Sequence, residues 1–229
     1  MIASTASEVE VDVSPPGATV QRTEVGTLDR RGRRRQATHD AIRRAALELV
    51  AGQGLERVSI EMITEQADVG YRTFFNHFAS KEDALVDPGG PRAARVSAAL
   101  VRRPAEEGPL DALRAALLAE FDDFESQRAE VCAKLAVIEN NPTLLPRFHA
   151  EFVVMERAIA SAIAQRTGLN TGTDLYPHLL ASVATTALRT CLARWRAAGS
   201  TGSPQPLIGE ALDALARGLT PPPRCRRNG

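Results

Sequence analysis

Apolar residues along this chain recur mostly at intervals of three or four, the spacing that places them on one face of an α-helix. In the first clear example, Ile42 and Leu49 share such a face, and Gly52 and Gly54 predict the end of the helix. Further long helices are predicted for residues 92–103, 109–126, 128–140, 142–167, 174–198 and 204–219. Because no strand pattern and no internal repeat stands out, the sequence predicts an all-α fold.

Shorter helices are predicted directly after the first one. Ser59 and Ser80 occupy good N-cap positions, and Asp68 and Gly70 interrupt the helical pattern between them. Two short helices joined by a tight turn, with a longer helix in front, indicate a helix-turn-helix unit. The sequence "DPGGP" at 87–91 then predicts a break before the next helix.

The second short helix of this unit is rich in aromatic residues, in a chain where aromatics make up only 4%. Phe74 and Phe78 are predicted to face back into a small core with Ile42 and Ile63. The opposite face presents hydrogen-bonding side chains, namely Tyr71, Arg72, Thr73, Asn76 and His77. A short helix with an aromatic anchor and a polar outward face is typical of helices that enter the major groove of DNA.

Charge is distributed unevenly, although the whole chain has a formal net charge of zero. Seven arginines and a single acidic residue lie between residues 30 and 44. We interpret this segment as a basic arm whose arginines Arg33, Arg34 and Arg35 supply contacts to DNA phosphates. Lys81, at the start of a predicted helix, is also predicted to contact a phosphate.

Residues 36–85 resemble the DNA-binding domain of the TetR family of transcriptional regulators. The run "YRTFFNHFASKEDAL" is similar to the family's Thr-Phe-Tyr-x-His-Phe-x-Ser-Lys-x-x-Leu pattern. The chain departs from the family in the turn, where Asp68 replaces Gly and Gly70 replaces Ser, and in the helix, where Phe75 replaces Tyr. Phe75 lacks the tyrosine hydroxyl that would reach a phosphate.

The resemblance implies a homodimer that binds double-stranded DNA at a palindromic operator, with a C-terminal domain that binds a small-molecule effector. The residues assigned to DNA contact are Arg33, Arg34, Arg35, Ser59, Gly70, Tyr71, Arg72, Thr73, Asn76, His77 and Lys81. We therefore predict a sequence-specific transcriptional regulator, a repressor released by a hydrophobic or aromatic effector. The alternatives are a ligand-independent activator or architectural protein, and an all-helical enzyme or adaptor that does not bind DNA.

The resemblance also implies where the effector binds. In the family's layout, helices 109–126, 128–140, 142–167 and 174–198 enclose the ligand cavity. The predicted pocket residues are Phe121, Phe124, Phe148, Phe152 and Met155. The alternative is that these side chains fill the core, because any core helix shows an apolar stripe at helical spacing.

Helix 174–198 carries two apolar stripes, and a surface of that width predicts contacts with two partners. Together with helix 204–219 it is predicted to form a four-helix dimer interface. The residues assigned to this interface are Val183, Ala187, Cys191, Trp195, Ile208, Leu212 and Leu215.

The predicted domain organisation follows from these assignments. The four segments are a disordered tail at 1–28, a helix-turn-helix domain with its basic arm at 29–80, a helical regulatory and dimerisation domain at 81–220, and a second disordered tail at 221–229. No catalytic motif and no matched set of metal ligands stands out, so we predict neither an enzyme nor a cofactor or metal. Three widely spaced cysteines, with no signal peptide and no membrane-spanning run, predict a cytoplasmic protein that does not contact a membrane.

Overall fold

The computed structural model describes residues 21–87 and 91–219, with side chains from residue 30 onward. The described α-helices are α1 (Gln21–Gln53), α2 (Ile60–Gln66), α3 (Tyr71–Phe75), α4 (Lys81–Val86), α5 (Pro91–Arg102), α6 (Pro109–Ala119), α7 (Phe124–Asn140), α8 (Leu145–Thr167), α9 (Leu175–Ala197) and α10 (Gln205–Ala216). Two short 3₁₀-helices lie at Leu55–Arg57 and Pro142–Leu144, and no β-strand occurs in the described ranges. The predicted all-α fold is confirmed. No described helix is long and apolar enough to cross a bilayer.

The first helix is longer than the sequence predicts. It begins at Gln21, inside the segment predicted as a disordered tail, and it includes the arginine-rich segment. No proline occurs between Pro16 and Pro88, and arginine loses little side-chain freedom in a helix, so no residue forbids this extension. Residues 1–20 and 220–229, which include the rest of both predicted tails, lie outside the described residues.

The chain forms two compact units, residues 1–40 and 41–229. In the first unit the described residues are the helical segment 21–40, where the amide of Gln36 donates a hydrogen bond to the Asp40 carboxylate at 2.8 Å. The second unit contains the remainder of α1 and all of α2–α10.

Short-range signals in the sequence determine where the helices of the second unit begin and end. Gly54 follows the last residue of α1 with a φ of 85°, a conformation that glycine adopts without steric cost. The hydroxyl oxygen of Ser59 accepts a hydrogen bond from the backbone N–H of Met62 at 3.3 Å. The hydroxyl oxygen of Ser80 accepts one from Asp83 at 3.1 Å. Both serines are therefore N-caps, as the sequence predicts.

A break separates α4 from α5, again as the sequence predicts. After α4 ends at Val86, Asp87 adopts a left-handed backbone conformation with a φ of 53°. Its backbone N–H donates to the carbonyl oxygen of Asp83 at 2.6 Å. The next helix begins at Pro91. Proline suits the first position of a helix, because the backbone N–H that it lacks would have no hydrogen-bond partner within the helix there.

The hydrophobic core of the second unit consists of two clusters. The first, called the N-terminal cluster, contains residues of α1–α4 together with residues from the end of α7 and the turn after it. Its buried residues are Ile42, Ala45, Ala46, Leu47, Val50, Leu55, Val58, Ile63, Phe74, Phe78, Ala84, Leu85, Val86, Val137, Ile138 and Leu144. The small core predicted around Phe74 and Phe78 is present, and residues of the C-terminal helices complete it.

The second cluster, called the C-terminal cluster, contains residues from α5, α6, α8, α9 and α10 with Phe121 and Phe124. Trp195 is 2% exposed, and its ring meets Phe124 edge to face at a centroid distance of 5.3 Å. Its indole N–H donates to the carbonyl oxygens of Thr201 and Gly202 at 3.2 and 3.1 Å. The end of α9 is thereby fixed to the loop that leads into α10.

Four residues of the predicted dimer interface are buried within their own chain, and their place in an interface stays a prediction. These residues belong to the C-terminal cluster: Cys191, Trp195, Ile208 and Leu212. An apolar helical stripe has the same pattern whether it packs within one chain or between two, so the sequence could not distinguish these packings. The other three predicted residues are partly buried, and their place in an interface stays a prediction: Val183, Ala187 and Leu215.

The residues predicted to line a ligand pocket also lie in or against the core. Phe121, Phe124 and Met155 are buried in the C-terminal cluster. Phe148 and Phe152 are half-buried, and their rings meet edge to face at 5.2 Å. A cavity of about 960 Å³ lies between α7 and the end of α9, and none of the five residues lines it. These side chains contribute to the core, and their place in a ligand pocket stays a prediction.

Candidate nucleic-acid interface

The short helix α3 carries the central residues that the sequence assigns to DNA contact. Its exposed side chains are those of Tyr71, Arg72 and Phe75, and Asn76, the residue after the helix, is also exposed. Because residues four apart lie on the same side of a helix, these side chains form one surface, called the outward face of α3. Thr73 and His77 are half-buried beside it.

Two buried rings hold α3 from the opposite side. Phe74 and Phe78 are 0% and 4% exposed, and their ring centroids lie 5.9 Å apart within the N-terminal cluster. Residues of α2, including Ile63, belong to the same cluster. The outward face of α3 is therefore fixed in orientation relative to α2, which a helix that reads bases requires.

The turn between α2 and α3 closes without the glycine that is usual in the family. Asp68 takes the left-handed conformation with a φ of 52°. Aspartate tolerates this conformation because its short polar side chain can form local hydrogen bonds. The backbone N–H groups of Asp68 and Val69 donate to the carbonyl oxygens of Glu65 and Thr64, at 3.2 and 3.0 Å.

Gly70 occupies the N-cap position of α3 but supplies no side-chain cap. Its φ of −74° and ψ of 151° are ordinary for any residue, so the backbone does not require glycine here. A Cβ at this position would lie 3.8 Å from the Thr73 hydroxyl, an ordinary contact. Gly70 can therefore offer DNA only its backbone.

Ser59, also assigned to DNA contact, is engaged at the start of α2. Its hydroxyl oxygen caps Met62. The backbone N–H of Glu61 and the hydroxyl of Ser59 lower the pKa of the Glu61 carboxyl. Because a hydroxyl has a single O–H to donate, a phosphate would have to compete with Glu61 for it.

Lys81 has a structural partner that the sequence did not indicate. Its ammonium group donates to the carbonyl oxygens of Leu55 and Val58, at 2.8 and 2.9 Å. These carbonyls belong to the 3₁₀-helix before α2 and to the residue that follows it. Lys81 therefore connects the start of α4 to the entrance of the helix-turn-helix, and two of its three N–H donors are used within the chain.

Replacing Lys81 by Met is expected to lower the free energy of unfolding by about 1–3 kcal/mol, because two partly buried carbonyls lose a charged donor. Urea denaturation followed by circular dichroism measures this change. Arg72→Met is the matched control, since it removes one positive charge from an exposed position on α3. An equal free energy of unfolding for the two variants would contradict the structural role of Lys81.

The arginines of the predicted arm lie in the first unit, on the helical segment 21–40. Arg33, Arg34 and Arg35 are all exposed. Consecutive residues of an α-helix point about 100° apart, so these three side chains cannot all face a single surface. Their contact with DNA stays a prediction.

Lys134, on α7, is the second of the chain's two lysines, and it contacts the end of α4. Its ammonium donates to the carbonyl oxygen of Val86 at 3.0 Å and to the carboxylate of Glu151 at 2.6 Å. Burial lowers the pKa of Lys134, and the Glu151 carboxylate opposes that shift. The last residue of α4 is thereby connected to both α7 and α8.

Two further ion pairs connect the helix-turn-helix to the C-terminal helices. The guanidinium Nε of Arg147 lies 3.0 Å from the Asp83 carboxylate, and Arg43 pairs with Glu130. Sequence reasoning missed these contacts because spacing along the chain carries no information about them; Arg147 and Asp83 are 64 residues apart. For the contacts of Lys81 and Lys134, by contrast, the sequence held one signal, the use of lysine at only two positions in an arginine-rich chain.

Comparison with known proteins identifies relatives of this chain. Residues 42–86 match the family model described as bacterial regulatory proteins, tetR family, and residues 107–220 match the MftR C-terminal domain. The HTH-type transcriptional regulator TcmR of Streptomyces glaucescens is 35% identical over 159 residues, which cover 67% of this chain and 70% of TcmR. A Mycobacterium tuberculosis protein named as a mycofactocin biosynthesis transcriptional regulator, MftR, is 31% identical over 190 residues, covering 82% and 94% of the two chains.

The fold is also similar to that of SmeT in its complex with triclosan, with a TM-score of 0.55, 19% identity, and coverage of 84% of this chain and 99% of SmeT. The fold and the outward face of α3 define a helix-turn-helix, DNA-binding transcriptional regulator. The chain belongs to the TetR family of transcriptional regulators. Both family models and both relatives are transcription regulators, which are not enzymes.

Proposed function

We propose that this regulator is a homodimeric repressor that acts in the cytoplasm by occupying a palindromic operator. The observation that supports this most directly is the division of α3 into a buried side and an outward face. Tyr71, Arg72 and Asn76 on that face supply donors and acceptors suited to base edges, while Phe74 is fully buried behind them. Two such helices in a dimer would enter successive major grooves one helical turn apart.

The proposed dimer uses a different face of α9 from the one first predicted. The exposed residues that share one side of this helix are Leu175, Leu179, Thr186, Thr190, Ala193 and Ala197. Leu175 and Leu179 are 74% and 53% exposed, which is a large apolar area to leave in water. The remaining side chains are small, so a second α9 can approach closely. We propose that this stripe packs against its copy in the partner chain.

We propose further that a small hydrophobic or aromatic effector releases the repressor from DNA. SmeT, which shares the fold, is known in complex with triclosan. In the present chain, Lys134 and Arg147 contact Val86 and Asp83 on α4, so a rearrangement of α7 or α8 would be transmitted to the helix after the helix-turn-helix. Such an effector can shift the equilibrium only by its difference in affinity for the two states.

The test begins with a selection of genomic fragments from the source organism on the immobilised full-length protein. Fluorescence anisotropy then compares the selected duplex with a scrambled one at several salt concentrations. We expect a preference of at least about 10³-fold and two chains per duplex. Affinity for both duplexes should fall steeply with salt, because binding releases counterions from the phosphates.

Tyr71→Ala is expected to weaken binding to the selected duplex by roughly 5- to 150-fold and to change binding to the scrambled duplex little. Equal losses on both duplexes would show that Tyr71 does not read bases. A selection that enriches no sequence, together with equal affinity for both duplexes, would contradict the proposed function itself.

A further inference from the structure

The outward face of α3 contains an apolar side chain that hydrogen bonding to DNA does not explain. Of the seven phenylalanines in the chain, all of them in the described ranges, only Phe75 is exposed. Its exposed fraction is 45%, beside Tyr71 at 52%. The position lies between Arg72 and Asn76 on a surface that is otherwise polar.

The ring of Phe75 is nevertheless held in place. Its centroid lies 5.0 Å from the Tyr71 ring and 5.4 Å from the Phe74 ring, edge to face in both cases. Phe74 is fully buried, so one of the two contacts is with a fixed part of the core. An aromatic side chain restrained in this way loses little conformational freedom when it binds a partner.

A phenyl ring cannot donate a hydrogen bond to a phosphate, so its contact with DNA must be apolar. The major groove presents one apolar group on its base edges, the C5 methyl of thymine. Phe75 lies on the face of α3 proposed to meet those edges. We infer that Phe75, supported by the Tyr71 ring, is a specificity-determining residue that binds a thymine methyl group in each half-site. This inference depends on the proposed binding of operator DNA.

The test uses the duplex selected by the full-length protein, in which deoxyuridine replaces thymidine at one position of each half-site at a time. Uracil pairs as thymine does and lacks only the methyl group. For the wild-type protein we expect about a fourfold loss of affinity per half-site at one or two thymine positions, and no loss at the others. Fluorescence anisotropy measures each affinity at fixed salt.

The variants show whether Phe75 is the residue that contacts the methyl group. Phe75→Ala should bind the thymidine duplex more weakly and should show no further loss when deoxyuridine is introduced at the sensitive position. Phe75→Tyr keeps the ring and should keep the full loss. Val153→Ala, which truncates an apolar residue of similar exposure on α8, should behave as the wild type.

Two results would overturn the inference. One is equal affinity of the wild-type protein for every deoxyuridine duplex, which would show that no thymine methyl is read. The other is a Phe75→Ala variant that keeps the full deoxyuridine loss, which would assign the methyl contact to another residue. Both leave the preference for the selected duplex over the scrambled one intact, so they are distinguishable from a failure of DNA binding itself.

Discussion

Phe74→Ala is expected to lower the free energy of unfolding by about 3–5 kcal/mol, the range for truncating a buried phenylalanine. The ring of Phe74 is 0% exposed within the N-terminal cluster and contacts the rings of Phe75 and Phe78. Its removal leaves a cavity between α3 and the helices behind it, and the surrounding backbone can collapse only partly. Since α3 has only five residues, little else holds it in its orientation.

The adjacent residue is the matched control. Phe75 carries the same side chain on the same helix, but its ring is 45% exposed. Phe75→Ala is therefore expected to cost about 1 kcal/mol or less, mainly from the lost edge contacts with its aromatic neighbours. Urea denaturation followed by circular dichroism distinguishes the two. Equal losses would mean that α3 does not pack against the core as described.

The two variants also separate folding from DNA recognition. Phe74→Ala should weaken binding to the selected and scrambled duplexes alike, because a displaced α3 loses both base and phosphate contacts. Phe75→Ala should weaken binding to the selected duplex more, because its proposed contact is with a base. Such a result would assign a structural role to Phe74 and a recognition role to Phe75, which lie on opposite sides of the helix.

The helix-turn-helix was predictable from the sequence because its determinants are local. Ser59 and Ser80 cap helices through bonds to residues three positions on, and Gly54 ends α1 through its own backbone conformation. The burial of Phe74 and Phe78 follows from their separation of four residues, because the turn after α3, in which the Phe78 N–H donates to the Phe74 carbonyl oxygen, keeps the helical spacing. Each of these signals lies within a few residues of the feature that it specifies.

The sequence did not predict in the same way what packs against each apolar face of α9. The stripe that includes Cys191 and Trp195 lies in the C-terminal cluster of its own chain, where α9 packs against α8 and α10. The exposed stripe of α9 from Leu175 to Ala197 combines leucines with threonines and alanines, so it gives a weaker hydrophobic signal than the buried one. The two apolar stripes predicted for helix 174–198 do not include these residues, so the sequence pattern did not indicate this third face.

The two lysines show a similar limit. Lys81 and Lys134 donate to backbone carbonyls that are 23 to 48 residues distant in sequence. A compact ammonium with three donors suits two or three convergent oxygens, whereas guanidinium is larger and planar. Lysine at these positions of an arginine-rich chain is therefore consistent with internal contacts, although the positions of the partner carbonyls depend on the tertiary fold.

Lys134→Met is expected to lower the free energy of unfolding by about 3–5 kcal/mol, the range for removing one partner of a buried ion pair. Lys134 and Glu151 are 12% and 16% exposed, so the carboxylate of Glu151 would stay largely buried without its partner. Val86 would also lose the donor to its carbonyl. Urea denaturation at neutral pH measures the loss. Arg196→Met is the control, because its partner Glu139 is 55% exposed and surface pairs contribute about 1 kcal/mol or less.

The double variant Lys134→Met, Glu151→Gln tests whether the loss comes from the stranded charge. It should recover at least about 1 kcal/mol relative to Lys134→Met alone, because no buried carboxylate remains. The pH dependence gives an independent check. Burial lowers the pKa of Lys134 in the folded state, so between that pKa and the usual value near 10.4 the unfolded chain binds more protons. The free energy of unfolding of the wild type, relative to Lys134→Met, should therefore rise as the pH increases through this range. A difference that stays constant or falls would contradict a buried ammonium at the end of α4.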